Sequence, residues 1–176
     1  MTYTEENMAA AIVRSIFTPT RYNCIVNVSF GFLNHEADLL VMNENCRLYE
    51  VEIKTSLADL KADFKKKHGH EDRKVERLFY AVPTPLLEAA QNIIPEQFGI
   101  IAVEDAGKGC KYPCLYATRV RNAAKLRDYP LNVHQVIQLL RLGTMRFWTR
   151  HRYEDPLLDI MDDKEPEKKE IQLDLF

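Results

Sequence analysis

Glu50, Glu52 and Lys54 stand at alternate positions in YEVEIK, and Asp38 begins the run DLLVM 14 residues before Glu52. On a β-strand, a period of two puts Glu50, Glu52 and Lys54 on one face and Val51 and Ile53 on the other. Carboxylates on a buried sheet face are costly unless a cation compensates their desolvation. Asp38 and Glu52, on neighbouring antiparallel strands, can converge on one hard ion such as Mg2+, whose other positions go to water and phosphate oxygens. Lys54 reaches the same spot, where an ammonium orients or helps deprotonate an attacking water and offsets charge on a phosphorane. Such a group suits phosphodiester hydrolysis. The competing reading is an edge strand whose wet face pairs these side chains with one another, and Glu-x-Lys alone does not separate the two.

The elements around these residues follow from periodicity. TEENMAAAIVRSIF carries Met8, Ile12 and Ile16 on one helical face, with Thr2 or Thr4 placed to cap it. CIVNVSF, ADLLVMN and RLYEVEIK, with a turn at Asn43–Asn45, predict a three-stranded meander over 24–53. Ser56, followed by Asp59, starts a second helix with Leu57, Leu60 and Phe64 inward. RLFYAVP and FGIIAVED read as buried strands on either side of a helix TPLLEAAQN. A final helix is expected from Leu131 to about Arg152, with Val133, Ile137, Leu140 and Phe147 inward. The predicted order is α-β-β-β-α-β, then α-β and a basic helix.

A length of 176 residues with 46% apolar content suits one domain around one core. The net charge of -2 divides unevenly: residues 153–176 carry nine acids against three lysines, a net of -6, which leaves +4 on 1–152. Residues 119–152 hold eight Lys/Arg and one acid, Asp128; such a block favours phosphate, although arginines on an amphipathic helix also serve simply as its wet face. MTYTEENM has no apolar run after a basic start, and 18 apolar residues nowhere follow one another, so a cytoplasmic protein without a membrane span is expected. Cys24, Cys46, Cys110 and Cys114 lack CxxC spacing and read as reduced thiols, and His68-Gly69-His70 reads as an exposed loop.

Asp38, Glu52-x-Lys54, the α-β-β-β-α-β order and a VEIKTS segment opening straight into a helix together resemble the PD-(D/E)xK nuclease superfamily over about residues 4–105. HEADLLVMNENCRLYEVEIKTSLADLKADFKKK, followed by RLFYAVP, Ile94-Pro95 and GIIAVED, is similar to its MmcB-like branch, linked to DNA repair. The resemblance implies an α/β (α+β) fold with a restriction-endonuclease-like core, a mixed central sheet flanked by helices, over a nuclease-like domain 1–152. It implies Mg2+- or Mn2+-dependent hydrolysis of DNA phosphodiesters, leaving a 5′-phosphate. Asp38 matches the first motif acid and Glu52 the second, both as metal ligands, and Lys54 the catalytic lysine; Ala37 replaces the motif's proline. Glu5 or Glu6 sits where many relatives place a further helix-borne acid. Lys65 and Lys66, with Lys61 and Lys67, and Arg146, Arg150 and Arg152 in the basic block would then track the DNA backbone with little base reading. Asp59, Asp63 and Asp72 are expected to cap or pair rather than coordinate.

Residues 153–176 read as a flexible charged tail, yet it ends in three large apolar side chains. These suit either a late strand folding back on the body or a peptide for another protein's groove. QLDLF resembles the peptide by which bacterial polymerases and repair factors dock on the β sliding clamp, with Gln172, Leu173, Leu175 and Phe176 as the contacts. The sequence therefore points to a clamp-tethered DNA nuclease. The alternative is a clamp-associated DNA-binding module on the same fold without catalysis.

Overall fold

Of the two threonines able to start the first helix, Thr4 does so: it is extended, and its hydroxyl accepts from the Asn7 N–H at 3.2 Å. The helix that follows, α1 (Glu5–Ser15), buries Met8, Ala9, Ala11 and Ile12. The computed structural model of the chain describes residues 2–28, 31–65, 72–107 and 115–154, with backbone only over 150–154. The expected meander is present as β1 (Asn23–Val28), β2 (Ala37–Met42) and β3 (Leu48–Ile53). Asn43 makes its tight turn, with Oδ1 accepting from the N–H groups of Asn45 and Arg47 at 3.0 and 2.9 Å. Ser56 caps α2 (Leu57–Asp63) by accepting from the Asp59 N–H at 3.2 Å. Next come β4 (Val75–Pro83), a 3-10 turn (Thr84–Leu86), α3 (Leu87–Ile93), β5 (Gly99–Asp105), β6 (Leu115–Arg121) and α4 (Val133–Glu154).

All six strands form one mixed sheet in chain order. β1, β2 and β3 run antiparallel, β3, β4 and β5 parallel, and β6 returns antiparallel on β5. Parallel neighbours need a crossover, and α2 and α3 supply the two required here. Odd-numbered side chains of the central strands, Val51, Ile53, Phe79, Ala81, Ile101 and Val103, face α1. Even-numbered ones, Leu78, Tyr80, Val82 and Ile100, meet Leu60 of α2 and Ala90 of α3. This two-sided cover is why β4 and β5 are nearly continuous apolar runs. Farther along the even-numbered side, α4 lays Leu139 over Ile25, Leu40 and Met42.

Three expectations are corrected. No strand was anticipated at LYATRVR, yet it is β6, held to the end of α1 by an Arg14 guanidinium donating to the Leu115 carbonyl at 2.8 Å. On α4, Val133, Ile137, Leu140 and Phe147 are exposed rather than inward, and the buried side is Leu139 with Val136 and Leu142 partly covered. Gly143 suits that phase, because a Cβ there would stand 3.1 Å from Ile25 Cγ1. Phe64 is likewise half exposed at the end of α2, while Leu60 is buried. Among the described residues, no helix is long and apolar enough to cross a membrane.

Candidate active site

The β2–β3 register pairs Leu39 with Val51 and Leu40 with Glu50, so Asp38 comes opposite the Glu52 end of β3. The wet-edge reading fails at this point. β3 lies inside the sheet, and Glu50, Glu52 and Lys54 are 0%, 3% and 5% exposed. The Lys54 ammonium lies 2.8 Å from Glu52 Oε2, 3.4 Å from Asp63 Oδ1 and 4.0 Å from Asp38 Oδ2. Asp38 is fixed by its own strand partner: the Ile53 N–H donates to its Oδ2 at 2.7 Å. Asp63, the last residue of α2, also accepts from the Tyr80 hydroxyl of β4 at 3.0 Å. Four elements thus converge on one ammonium.

The electrostatics follow from this crowding. Burial opposes the charge on Lys54, but Glu52, Asp63 and Asp38 together outweigh it and raise the lysine's pKa. Burial raises the Asp38 pKa, with Asp59 and Asp63 adding to it, against the Ile53 N–H and Lys54, which lower it. Burial and the neighbouring Asp63 carboxylate raise the Tyr80 pKa and keep that hydroxyl protonated. Asp38 and Glu52 are hard oxygen donors beside an ammonium that already marks where positive charge is favoured, a donor set that fits Mg2+ or Mn2+. Among the described residues, no three His, Cys, Asp or Glu side chains are grouped to cage an ion. Two carboxylates would therefore leave most of the ion's positions to water and phosphate oxygens.

Asp38, Glu52 and Lys54 are brought together as the sequence required. Glu50 is one step deeper, between the registers of Leu40 and Leu78, and His35 Nε2 lies 2.7 Å from its Oε1. Asp63 and Asp72 pair, as expected of them: Asp63 with Lys54 and Tyr80, and Asp72 with Lys74 and the Asn34 N–H. Glu5 and Glu6 both line a cleft of about 670 Å³ between α1, β1 and α4 that reaches Ile53 and Arg146. Lys65 is exposed just past α2, and Arg146 is exposed on α4. Lys66 and residues 171–176, with Gln172, Leu173, Leu175 and Phe176, lie outside the described residues, and so do the side chains of Arg150 and Arg152. Part of the basic block is spent internally: Arg121 donates to the carbonyls of Phe98, Ile94 and Pro95, and Lys125 pairs with Glu76 and Asp128. Cys24, in β1, donates its thiol to the Phe17 carbonyl at 3.3 Å, and burial pushes its pKa up to about 11, so it is an inert thiol.

Sequence reasoning missed the roles of Tyr80 and His35. Tyr80 is recoverable in hindsight, because parallel pairing puts it directly across from Glu52. The His35 contact depends on the 31–36 loop and has no local signal.

Comparison with curated proteins gives no match. Among solved structures, a protein of unknown function from Silicibacter pomeroyi is similar, with a TM-score of 0.59 and 16% identity over 95% of this chain and 99% of that one. At that identity the likeness speaks for the fold. The family model described as DNA repair protein MmcB-like matches residues 3–128, which span all six strands and every residue of the Lys54 cluster. By that match the chain belongs to the MmcB-like family of DNA repair proteins.

Proposed function

We propose that the protein is a divalent-metal-dependent deoxyribonuclease of the PD-(D/E)xK type, working in DNA repair or replication and recruited by the β sliding clamp. The observation that carries this reading is the convergence of Asp38, Glu52 and Lys54 where the start of β2 meets the end of β3, with Lys54 buried among carboxylates. A Mg2+ or Mn2+ ion held by Asp38 and Glu52 would supply a water of lowered pKa and offset charge on the phosphate oxygens. Against the opposing effect of burial, Glu52, Asp63 and Asp38 favour the ammonium form of Lys54, which suits a donor and counter-charge to a phosphate. Asp63 holds that ammonium from α2 and itself accepts from the Tyr80 hydroxyl of β4. In this reading Lys65, Lys66, Arg146, Arg150 and Arg152 contact the DNA backbone. Gln172, Leu173, Leu175 and Phe176 dock on the clamp in this reading, which is compatible with a DNA repair family.

The test is incubation of the purified chain with labelled duplex, nicked, flapped, mismatched and single-stranded DNA, with Mg2+, with Mn2+ and with chelator. Cleavage of at least one substrate with metal and none with chelator is expected, and Asp38→Ala, Glu52→Ala and Lys54→Ala each abolish it. Wild-type-like cutting by any variant refutes the assignment. DNA binding without cutting across the panel would identify the non-catalytic module instead.

A further inference from the structure

A second polar cavity lies on the sheet face away from the carboxylates. Tyr49 and Arg77 are direct neighbours across β3 and β4, and Arg119 comes from β6. With Tyr22, Phe79 and Asn122 they line a space of about 310 Å³. Tyr49 and Phe79 belong to the core under α1, whereas Leu78 and Tyr80 face α2. Tyr49 is also three residues before Glu52, roughly 10 Å along the strand. The cavity is therefore separate from the Lys54 cluster.

Its chemistry is one-sided. None of the lining residues is acidic, and among the described residues neither Arg77 nor Arg119 has a carboxylate within ion-pair distance. Arg77 uses Nη1 on the Ala123 carbonyl, and Arg119 Nη1 stands 3.5 Å from Asn122 Oδ1, which leaves most of each guanidinium's five N–H donors available. The Tyr49 hydroxyl accepts from Asn43 Nδ2 at 2.9 Å and keeps its own proton to give. Arg119 Cζ lies 5.4 Å from the ring centroids of both Phe17 and Phe79, a cation–π contact that holds the fork in place. Two like charges on one small cavity repel each other, and a bridging anion relieves that repulsion. Planar forks match a phosphate bidentately, and the tyrosine walls suit a sugar or base. The volume lies at the lower end of the range for small-ligand sites, the size of a mononucleotide.

We propose that this cavity binds a phosphate monoester of mononucleotide size between Arg77 and Arg119, supplied either by a free nucleotide or by the terminal residue of a DNA strand. The proposal is independent of the nuclease reading, and its test is run in chelator, where hydrolysis is off. Isothermal titration of the full chain compares thymidine 5′-monophosphate with thymidine, and a thymidine tetranucleotide bearing a 5′-phosphate with its 5′-hydroxyl twin. The monophosphate should bind at least about tenfold more tightly than thymidine, as expected when charge-assisted hydrogen bonds are added. Arg119→Gln and Arg77→Lys should each weaken the monophosphate by about tenfold or more, with thermal melts confirming that both fold. Arg119 is exposed, so its variant remains informative if Arg77→Lys does not fold. A matching preference between the tetranucleotides upholds the proposal with a DNA end as the source; a preference confined to the mononucleotide upholds it with a free nucleotide. Equal affinity for thymidine and its monophosphate, or full affinity in Arg119→Gln, overturns it and leaves the arginines as braces for the aromatic rings.

Discussion

Lys54→Met keeps an unbranched apolar stem and deletes the ammonium that stands 2.8 Å from Glu52 and 3.4 Å from Asp63. Those two acids are 3% and 4% exposed, so water does not replace the lost partner. Breaking a buried ion pair from one side costs about 3–5 kcal/mol, because the other charge stays buried and uncompensated. One ammonium serves two such acids here, which points to the upper half of that range, about 4–5 kcal/mol. For a domain of ordinary stability, about 5–15 kcal/mol, that is a large share. Urea unfolding followed by circular dichroism, extrapolated to water, measures it. Adding Glu52→Gln to Lys54→Met should recover part of the loss, since it removes the charge of one of the buried acids that faced the ammonium. Mg2+ should also restore stability to the single variant, by about 2.7 kcal/mol at a hundredfold excess over its dissociation constant. A loss under about 1 kcal/mol would refute the buried cluster, and a full loss with no response to Mg2+ would refute the carboxylates as a cation site.

Asp38 should respond to pH. Its pKa is raised, chiefly by burial, so the folded state holds this proton more tightly than the unfolded chain. The stability linked to it is greatest below the ordinary carboxylate pKa and is lost as pH climbs through the raised value. Asp38→Asn removes that slope and should melt no lower than wild type at pH 7. Asp38→Ala strips the Ile53 N–H of its acceptor and should cost about 1–3 kcal/mol; calorimetric melts from pH 3 to 8 separate the two. At Gly99, an added Cβ would stand 2.5 Å from Phe79 Cε1 and nearer still to Cδ1, so Gly99→Ala should destabilise by about 1–3 kcal/mol in urea, and a neutral result would mean Phe79 can move. Changing Arg146, Arg150 and Arg152 together to Ala should weaken DNA binding equally across sequences and flatten its salt dependence; unchanged affinity at low salt would confine them to solubility. Deleting 171–176 should leave folding and unassisted cleavage unchanged and abolish clamp capture. A labelled 165–176 peptide should bind a bacterial clamp with an affinity on the order of micromolar and lose it with Leu173→Ala or Phe176→Ala. Unfolding on truncation would return these residues to the core.

What was legible in the sequence was whatever depends on local periodicity. Ser56 announced its helix, Thr2 or Thr4 the first one, Asn43 its turn, and the alternation of Glu50, Glu52 and Lys54 their shared face. The helical phase of α4 was not legible, because it carries two apolar stripes and the choice between them rests on tertiary packing of Leu139 and Gly143 against Ile25 and its neighbours. β6 escaped because Arg119 and Arg121 look like a solvated run; tertiary contacts occupy them, carbonyls of 94–98 for one and aromatic rings for the other. Tyr80 reaches Asp63 only after β4 has paired with β3, a long-range event that no local pattern encodes.

The residues around Lys54 all come from positions 38–80, one ββαβ unit, whereas α1 docks on β6 at the other end of the domain. Arg14 reaches the Leu115 carbonyl, and Ser15 Oγ accepts from the Ala117 N–H, across a separation of about a hundred residues. Short-range pairings form early in folding and long loops close late. During synthesis the ββαβ unit leaves the ribosome before β6 exists, so the carboxylates can gather around their lysine while Met8 and Ile12 still lack the strand that helps cover them. The Lys54 cluster can assemble before the core is finished. The species most exposed to aggregation is then a nearly complete chain with an uncovered first helix, and co-translational chaperones would act on α1 rather than on the site.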